Sequence, residues 1–118
     1  MPSYVDQKFG LAGKVALVTG SSQGLGRSMA LALARSGADV ILNGRDPAKL
    51  APVAAELSAL VPTARFHALA ADLSDRAAIQ RLIGESIAWQ GHLDILVNNA
   101  GLIKRTPAAD ANACEQLN

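Results

Sequence analysis

The chain has 118 residues, of which 50% are hydrophobic, 18% charged and 3% aromatic. Half-apolar composition excludes a disordered chain, and at about 100–200 residues per domain there is room for one domain at most. Eleven Lys and Arg against ten Asp and Glu give a formal net charge of +1, which argues against a broad electrostatic footprint for nucleic acid or an anionic membrane. A small local anion site stays open. Cys114 is the single cysteine, so no internal disulfide can form, and His67 and His92 stand apart from any metal-ligand spacing. MPSYVDQKFG has no apolar signal-peptide core, and no apolar run approaches the ~18–20 residues that span a bilayer. A reduced, cytoplasmic, soluble protein is the expectation.

Residues 1–10 read as a flexible lead. Lys14 to Thr19 (KVALVT) is a short apolar run ending at Gly20, the pattern of a strand buried on both faces. Leu25, Met29, Ala32 and Leu33 follow at helical spacing, and Gly37 marks the stop. Asp39 to Asn43 (DVILN) is a second strand. Asp46-Pro47 supplies an N-cap and a proline at the first helical position, with Leu50, Val53, Ala54, Leu57 and Leu60 continuing the helix to about Val61-Pro62. Pro52 inside it removes one backbone hydrogen bond or moves the start later. Arg65 to Ala70 is a weaker third strand. Ser74 or Asp75 caps the next helix, whose stripe is Ile79, Leu82, Ile83 and Ile87 and whose end is Gly91. Leu93 to Val97 is a fourth strand, and Asn98 to Pro107 a loop. This alternation predicts right-handed βαβ units, hence an α/β fold with a parallel sheet covered on both faces.

The turn after the first strand reads Thr19-Gly20-Ser21-Ser22-Gln23-Gly24-Leu25-Gly26. Gly20 offers a backbone angle closed to other residues. A side chain at Gly24 would hold a diphosphate off the main chain, and Gly26 lets the helix approach the sheet. The helix N-terminus then presents unpaired N–H groups to the phosphates. Without a ligand the same residues make an ordinary tight strand-to-helix turn. Arg27-Ser28 stands where a P-loop requires Lys followed by Ser or Thr.

In dinucleotide folds an acidic residue at the second strand's tip accepts from the adenosine ribose. Here the tip is Asn43-Gly44-Arg45. Arg45 is suited to a 2′-phosphate, which favours NADP with NAD as the alternative; the competing reading makes Arg45 a solvated cation and Asp46 the ribose ligand. Asp72, in Ala71-Asp72-Leu73, either accepts from the adenine amino group or caps the following helix. Asn98-Asn99-Ala100-Gly101 either fixes a loop against the cofactor or is a generic Asn/Gly loop.

TGSSQGLG, ADL and NNAG at these separations resemble the short-chain dehydrogenase/reductase family, over Leu11 to about Thr106. The resemblance implies a Rossmann-type doubly wound sheet, order 3-2-1-4 for the strands present, with residues 11–118 forming the N-terminal half of the dinucleotide domain. It implies that Asp72 meets adenine, that Asn98 steadies the central strands, and that Ser21, Leu25, Arg45, Leu73, Asn99, Ala100 and Gly101 lie along an NADP or NAD cofactor held by Gly20, Ser22, Gln23, Gly24 and Gly26 beside Asn43. ILNGRDPAKL and NNAGLIKR are similar to segments of the family's gluconate 5-dehydrogenase and 2-deoxygluconate dehydrogenase members. Lys104 and Arg105 then either hold a sugar-acid carboxylate or are solvated. The resemblance implies an oxidoreductase acting on a small-molecule alcohol or ketone, homo-oligomeric when complete.

The family's chemistry uses a Ser and a Tyr-x-x-x-Lys set. Tyr4, the one tyrosine, precedes the first strand and has no lysine four residues on. The family's catalytic asparagine falls past Asn118, so no catalytic role is carried over, and the 118-residue chain alone is expected to be inactive. A non-catalytic nucleotide-binding or interaction module is the competing reading.

Overall fold

The computed structural model describes residues 10–99. The apolar run after Lys14 forms β1 (Val15–Val18), all four residues buried. α1 (Gly24–Arg35) follows, then β2 (Asp39–Gly44), α2 (Pro47–Leu60), β3 (Phe66–Ala70), α3 (Arg76–Gln90) and β4 (Ile95–Val97). The strands form one sheet in the order β3-β2-β1-β4, all parallel, with Leu17 opposite both Ile41 and Leu96, and Leu42 opposite Ala68. The expected α/β class, Rossmann-type topology and strand order are all present.

Side-chain alternation along the sheet divides the core in two. Val18, Val40 and Leu42 pack with α1 and α2 residues Ala30, Ala34, Leu50, Val53 and Leu57. Val15, Leu17 and Ile41 pack on the opposite face with Ala71, Ala78 and Leu82 of the β3–α3 region. Leu17, Ile41 and Leu42 are fully buried, and each such side chain contributes about 1.5–3 kcal/mol of transfer free energy. On the first face, Arg27 of α1 and Glu56 of α2 form an ion pair near the surface, a contribution of roughly 0–1 kcal/mol at such a site.

Two helices turn differently from the expected stripes. α1 buries Gly26, Ala30 and Ala34, while Leu25 is exposed and Met29 and Leu33 are only partly covered. α3 buries Ala78, Leu82 and Ser86, leaving Ile79 and Ile87 exposed. The buried faces are made mostly of small residues, although Leu82 of the expected α3 stripe is buried among them. At Gly26 the reason is steric, because a Cβ there would fall 2.2 Å from Gly20 O. The Ser86 hydroxyl donates to Leu82 O within its own helix at 2.7 Å, which satisfies it in the buried interface.

The caps follow local chemistry. Asp46 accepts from Ala48 N at 2.9 Å and Asp75 from Ala77 N at 3.0 Å, so Asp75, not Ser74, caps α3. Pro52 does not shift the start of α2, which begins at Pro47 and runs through it. Ala48 and Pro52 are both exposed, so the carbonyl that loses its partner faces water.

β4 begins later than expected, at Ile95 rather than Leu93. Asp94 explains this. Its N–H donates to Val15 O at 2.9 Å, while its own carboxylate accepts from Val15 N at 2.8 Å, so a side chain replaces one rung of the ladder. His92 Nδ1 lies 2.7 Å from the same carboxylate oxygen. At the far edge, Asp39 accepts from Arg65 N at 2.8 Å and from Gln90 Nε2 at 2.9 Å, joining the starts of β2 and β3 to the end of α3. His67 of β3 stacks on Trp89 of α3 with ring centroids 5.2 Å apart.

The Val15 N–H bond, the largest cause, and the neighbouring His92 hold the Asp94 carboxyl below its ordinary value of 3.8. A depressed carboxylate contributes stability that is present above its unfolded value and lost as pH falls through the folded one. Asp94→Asn should therefore lower the urea midpoint at neutral pH, and its deficit should close as pH drops below the ordinary carboxylate range. A deficit unchanged into acid would contradict this role for the ionised carboxylate.

Candidate cofactor site

The carboxyl edge of the sheet gathers the turn after β1, the tip of β2, the tip of β3 and the first residues after β4. β1 extends past its last strand residue because Thr19 N donates to Val97 O at 3.0 Å. The Thr19 hydroxyl lies 3.2 Å from Asn98 Oδ1 and 3.3 Å from Val97 O. Ser21 N then donates to Asn43 O at 2.8 Å, and Asn43 N donates back to Ser21 Oγ at 2.9 Å. Asn43 Nδ2 continues to Leu69 O of β3 at 3.0 Å. Ser21 and Asn43 are both buried. Their side chains tie the turn to β2 and β3, and shape the site from behind.

Between these anchors the chain reverses. Gly20 and Gly24 have φ of +62° and +60°, a region that L side chains rarely adopt. A Cβ built at Gly24 meets nothing within 4 Å, whereas one at Gly26 falls 2.2 Å from Gly20 O and 2.7 Å from Asn99 Nδ2. The turn thus has one open side and one packed side. The packed side differs from the expectation of simple helix-to-sheet contact. Gly26 sits against the turn's own carbonyl and against the residue after β4. Asn99 is fully buried, and its Nδ2 donates to Gly20 O at 3.1 Å. That bond sets the orientation of the amide, whose Oδ1 has no partner among the described residues.

The start of α1 is unlike those of α2 and α3. Gln23 is its N-cap and makes no side-chain cap bond, and no acidic residue stands in its first turn. The other two helices close their own N-termini with Asp46 and Asp75. The N–H groups at the start of α1 and their partial positive charge therefore face the open side of the glycine turn. The residues fit a bound diphosphate by shape and by charge.

The tips of β2 and β3 are joined by Ala71 N donating to Gly44 O at 3.0 Å, which sets Arg45 and Asp72 next to each other, both exposed. A Cβ at Gly44 would lie 3.5 Å from Ser22 Oγ, so the Ser22 hydroxyl also borders this corner. Asp46 caps α2, which uses one of its carboxylate oxygens. Asp72 does not cap α3. It accepts instead from Ser74 N at 3.0 Å and Ser74 Oγ at 2.7 Å. Those two bonds, the backbone one first, hold its carboxyl below the ordinary value of 3.8, with a smaller contribution from the Arg45 charge. Leu73 turns inward against the α3 core. Leu25 is exposed beside the turn. Ala100, Gly101, Lys104 and Arg105 lie outside the described residues.

The short chain dehydrogenase family model matches residues 14–117. The chain belongs to this family. It is 44% identical over 103 residues to the 2-dehydro-3-deoxy-D-gluconate 5-dehydrogenase of Escherichia coli, covering 86% of this chain and 39% of that protein. Among solved structures it is similar to the 2-keto-3-deoxy-D-gluconate dehydrogenase of Streptococcus agalactiae, with a TM-score of 0.76 and 35% identity over 96% of this chain and 42% of that one. It is also similar to the Pseudomonas aeruginosa RhlG/NADP active-site complex, with a TM-score of 0.70 and 43% identity over 77% of this chain and 36% of that one. The chain spans about two fifths of the length of the curated relatives it matches.

Sequence reasoning placed the turn, Arg45 and Asp72 at the ends of their strands, and the structure has them together at the carboxyl edge. It missed the Ser21–Asn43 exchange and the Asn99–Gly20 bond, which join residues 22 and 79 positions apart. The buried small face of α1 was the one available signal. Gly26→Ala should destabilise the fold by more than about 2 kcal/mol, since backbone blocks the new methyl. Gly24→Ala should lose only about 1 kcal/mol, the strain of a left-handed alanine. Equal losses in urea denaturation would refute the division into packed and open sides.

Proposed function

We propose that this chain forms the cofactor-binding part of an NADP-dependent oxidoreductase, acting on a hydroxyl or keto group of a small polar substrate of the sugar-acid kind. The uncapped N-terminus of α1, opening onto the empty side of the Gly24 turn, carries this reading. Support comes from family membership, from relatives named for deoxygluconate oxidation and from a relative solved with NADP. When bound, the nicotinamide would supply the hydride acceptor or donor. Gly20, Gly24 and the amides opening α1 would bind the diphosphate, with Ser22, Gln23 and Leu25 along its path. Arg45 and Ser22 would hold the 2′-phosphate, and Asp72 with Leu73 would border adenine. Ser21, Asn43, Gly26 and Asn99 would act by fixing the shape of this surface, with Ala100 and Gly101 continuing it.

The described residues contain no tyrosine, and their lysines are Lys14 and Lys49. Lys14 stands at the amino end of β1, opposite the site. These residues bind and orient; they do not supply a Tyr–Lys proton relay. Residues 11–118 would be the N-terminal half of the dinucleotide domain behind the lead of residues 1–10, working in the cytoplasm as part of a homo-oligomer. No helix among the described residues is long and apolar enough to cross a membrane.

Arg45→Asp should weaken NADPH binding at least about tenfold more than NADH binding, because it replaces a charge-assisted phosphate contact with repulsion. Equal losses in parallel fluorescence titrations would remove Arg45 from the 2′-phosphate site. The mass-verified 118-residue polypeptide should show no NADP-linked oxidation of gluconate in a steady-state absorbance assay. Sustained turnover would show that the Tyr-x-x-x-Lys set is dispensable.

A further inference from the structure

Asp72 offers two carboxylate oxygens at the carboxyl edge, and their surroundings differ. Oδ1 accepts both Ser74 N at 3.0 Å and Ser74 Oγ at 2.7 Å. Oδ2 accepts no hydrogen bond among the described residues. An aspartate on an exposed loop ordinarily rotates about its terminal torsion, which is broad and roughly two-fold. Two donors from one residue on one oxygen remove that freedom. The anchor is itself fixed, because Asp75 N donates to Asp72 O at 3.2 Å and Asp75 then caps α3. Ser74 is exposed and belongs to neither β3 nor α3. Its hydroxyl makes no other hydrogen bond among the described residues, so its evident work is on Asp72.

We propose that Ser74 is a positioning residue for nucleotide recognition: it occupies Oδ1 of Asp72 so that Oδ2 is presented, unshared, to the exocyclic amino group of an adenine. The inference rests on the NADP reading above and deepens it. Two consequences favour adenine over other purines. The oriented oxygen is acceptor-only while ionised, so it matches an amino group and repels a carbonyl oxygen in the same place. The two Ser74 bonds and the adjacent Arg45 charge favour the ionised state. A hypoxanthine ring puts a carbonyl oxygen where adenine carries its amino group and a proton on the adjacent N1, so the Ser74 variants, and not the parent chain alone, assign the preference to this contact.

The test compares NADPH with its deaminated analogue, reduced nicotinamide hypoxanthine dinucleotide phosphate, by fluorescence titration of the full chain and two variants. The parent chain should bind NADPH more tightly than the analogue. In Ser74→Ala that preference should fall about fivefold, the size of one net hydrogen bond, mainly through weaker NADPH binding. Ser74→Thr keeps a hydroxyl and should retain the preference. A Ser74→Ala chain that loses affinity for both nucleotides equally, or loses none, overturns the positioning role and leaves the NADP reading standing. A parent chain that binds neither nucleotide overturns the NADP reading and the inference together.

Discussion

The carbonyl of Gly20 is the point from which the site is built. It ends the β1 run, turns back under α1 and accepts the Asn99 amide at 3.1 Å. The α-carbon of Gly26 is so close that a methyl group there would stand 2.2 Å from the oxygen. One atom therefore sets the distance between the first helix, the glycine turn and the residue leaving β4. Nothing in the local propensity of these residues demands that spacing. It follows from having no side chain at Gly26 and a long enough amide at Asn99. With it in place the remaining contacts follow in order: Ser21 reaches Asn43, Asn43 reaches Leu69, and the three strand tips are stitched into one edge.

The two ends of the sheet handle their polar groups in opposite ways. At the amino end, acids are consumed internally. Asp94 completes the β1–β4 ladder through Val15 N, and Asp39 joins β3 to α3. At the carboxyl end, the start of α1 lacks both a side-chain cap and an acid, and Arg45 stands exposed beside it. A helix terminus left this way forgoes roughly 0.5–2 kcal/mol that a capping side chain supplies. The two neighbouring helices take that gain through Asp46 and Asp75. Among the described helices the contrast singles out α1 as the one whose first N–H groups no side chain caps, and the positive end of its dipole is a local charge in a near-neutral chain.

What could be read from the sequence was what depends on neighbours in the chain. Strand runs, the Asp46-Pro47 cap, the Ser74 or Asp75 cap and the glycine turn are set within a few residues, and parallel topology follows from the helix that separates each strand from the next. The errors share a cause. The stripes expected on α1 and α3 weighted Leu and Ile above Gly, Ala and Ser. On α1 the Gly20 carbonyl leaves no room for a side chain at Gly26, so Gly26, Ala30 and Ala34 go inward and Leu25 stays out, while on α3 Ala78 and Ser86 go inward beside Leu82, and Ile79 and Ile87 stay out. The shortened β4 has a similar lesson, because Asp94 makes a backbone-like bond with its side chain, which strand periodicity does not register. Ser21–Asn43 and Asn99–Gly20 are tertiary pairings, visible only once the strand order has brought them together.

Asp72 shows how local and tertiary information combine at the site. Its bond to Ser74 lies two residues away and belongs to loop chemistry. Its position beside Arg45 comes from the Ala71–Gly44 rung between β3 and β2. The first determines which oxygen is free, and the second determines where that oxygen stands. A carboxylate next to an exposed arginine would ordinarily be drawn into an ion pair, which would remove both groups from ligand binding. Ser74 fixes the carboxylate through Oδ1, and the Arg45 charge acts on it as the weaker influence. The loop thereby holds an acid and a base side by side at the carboxyl edge.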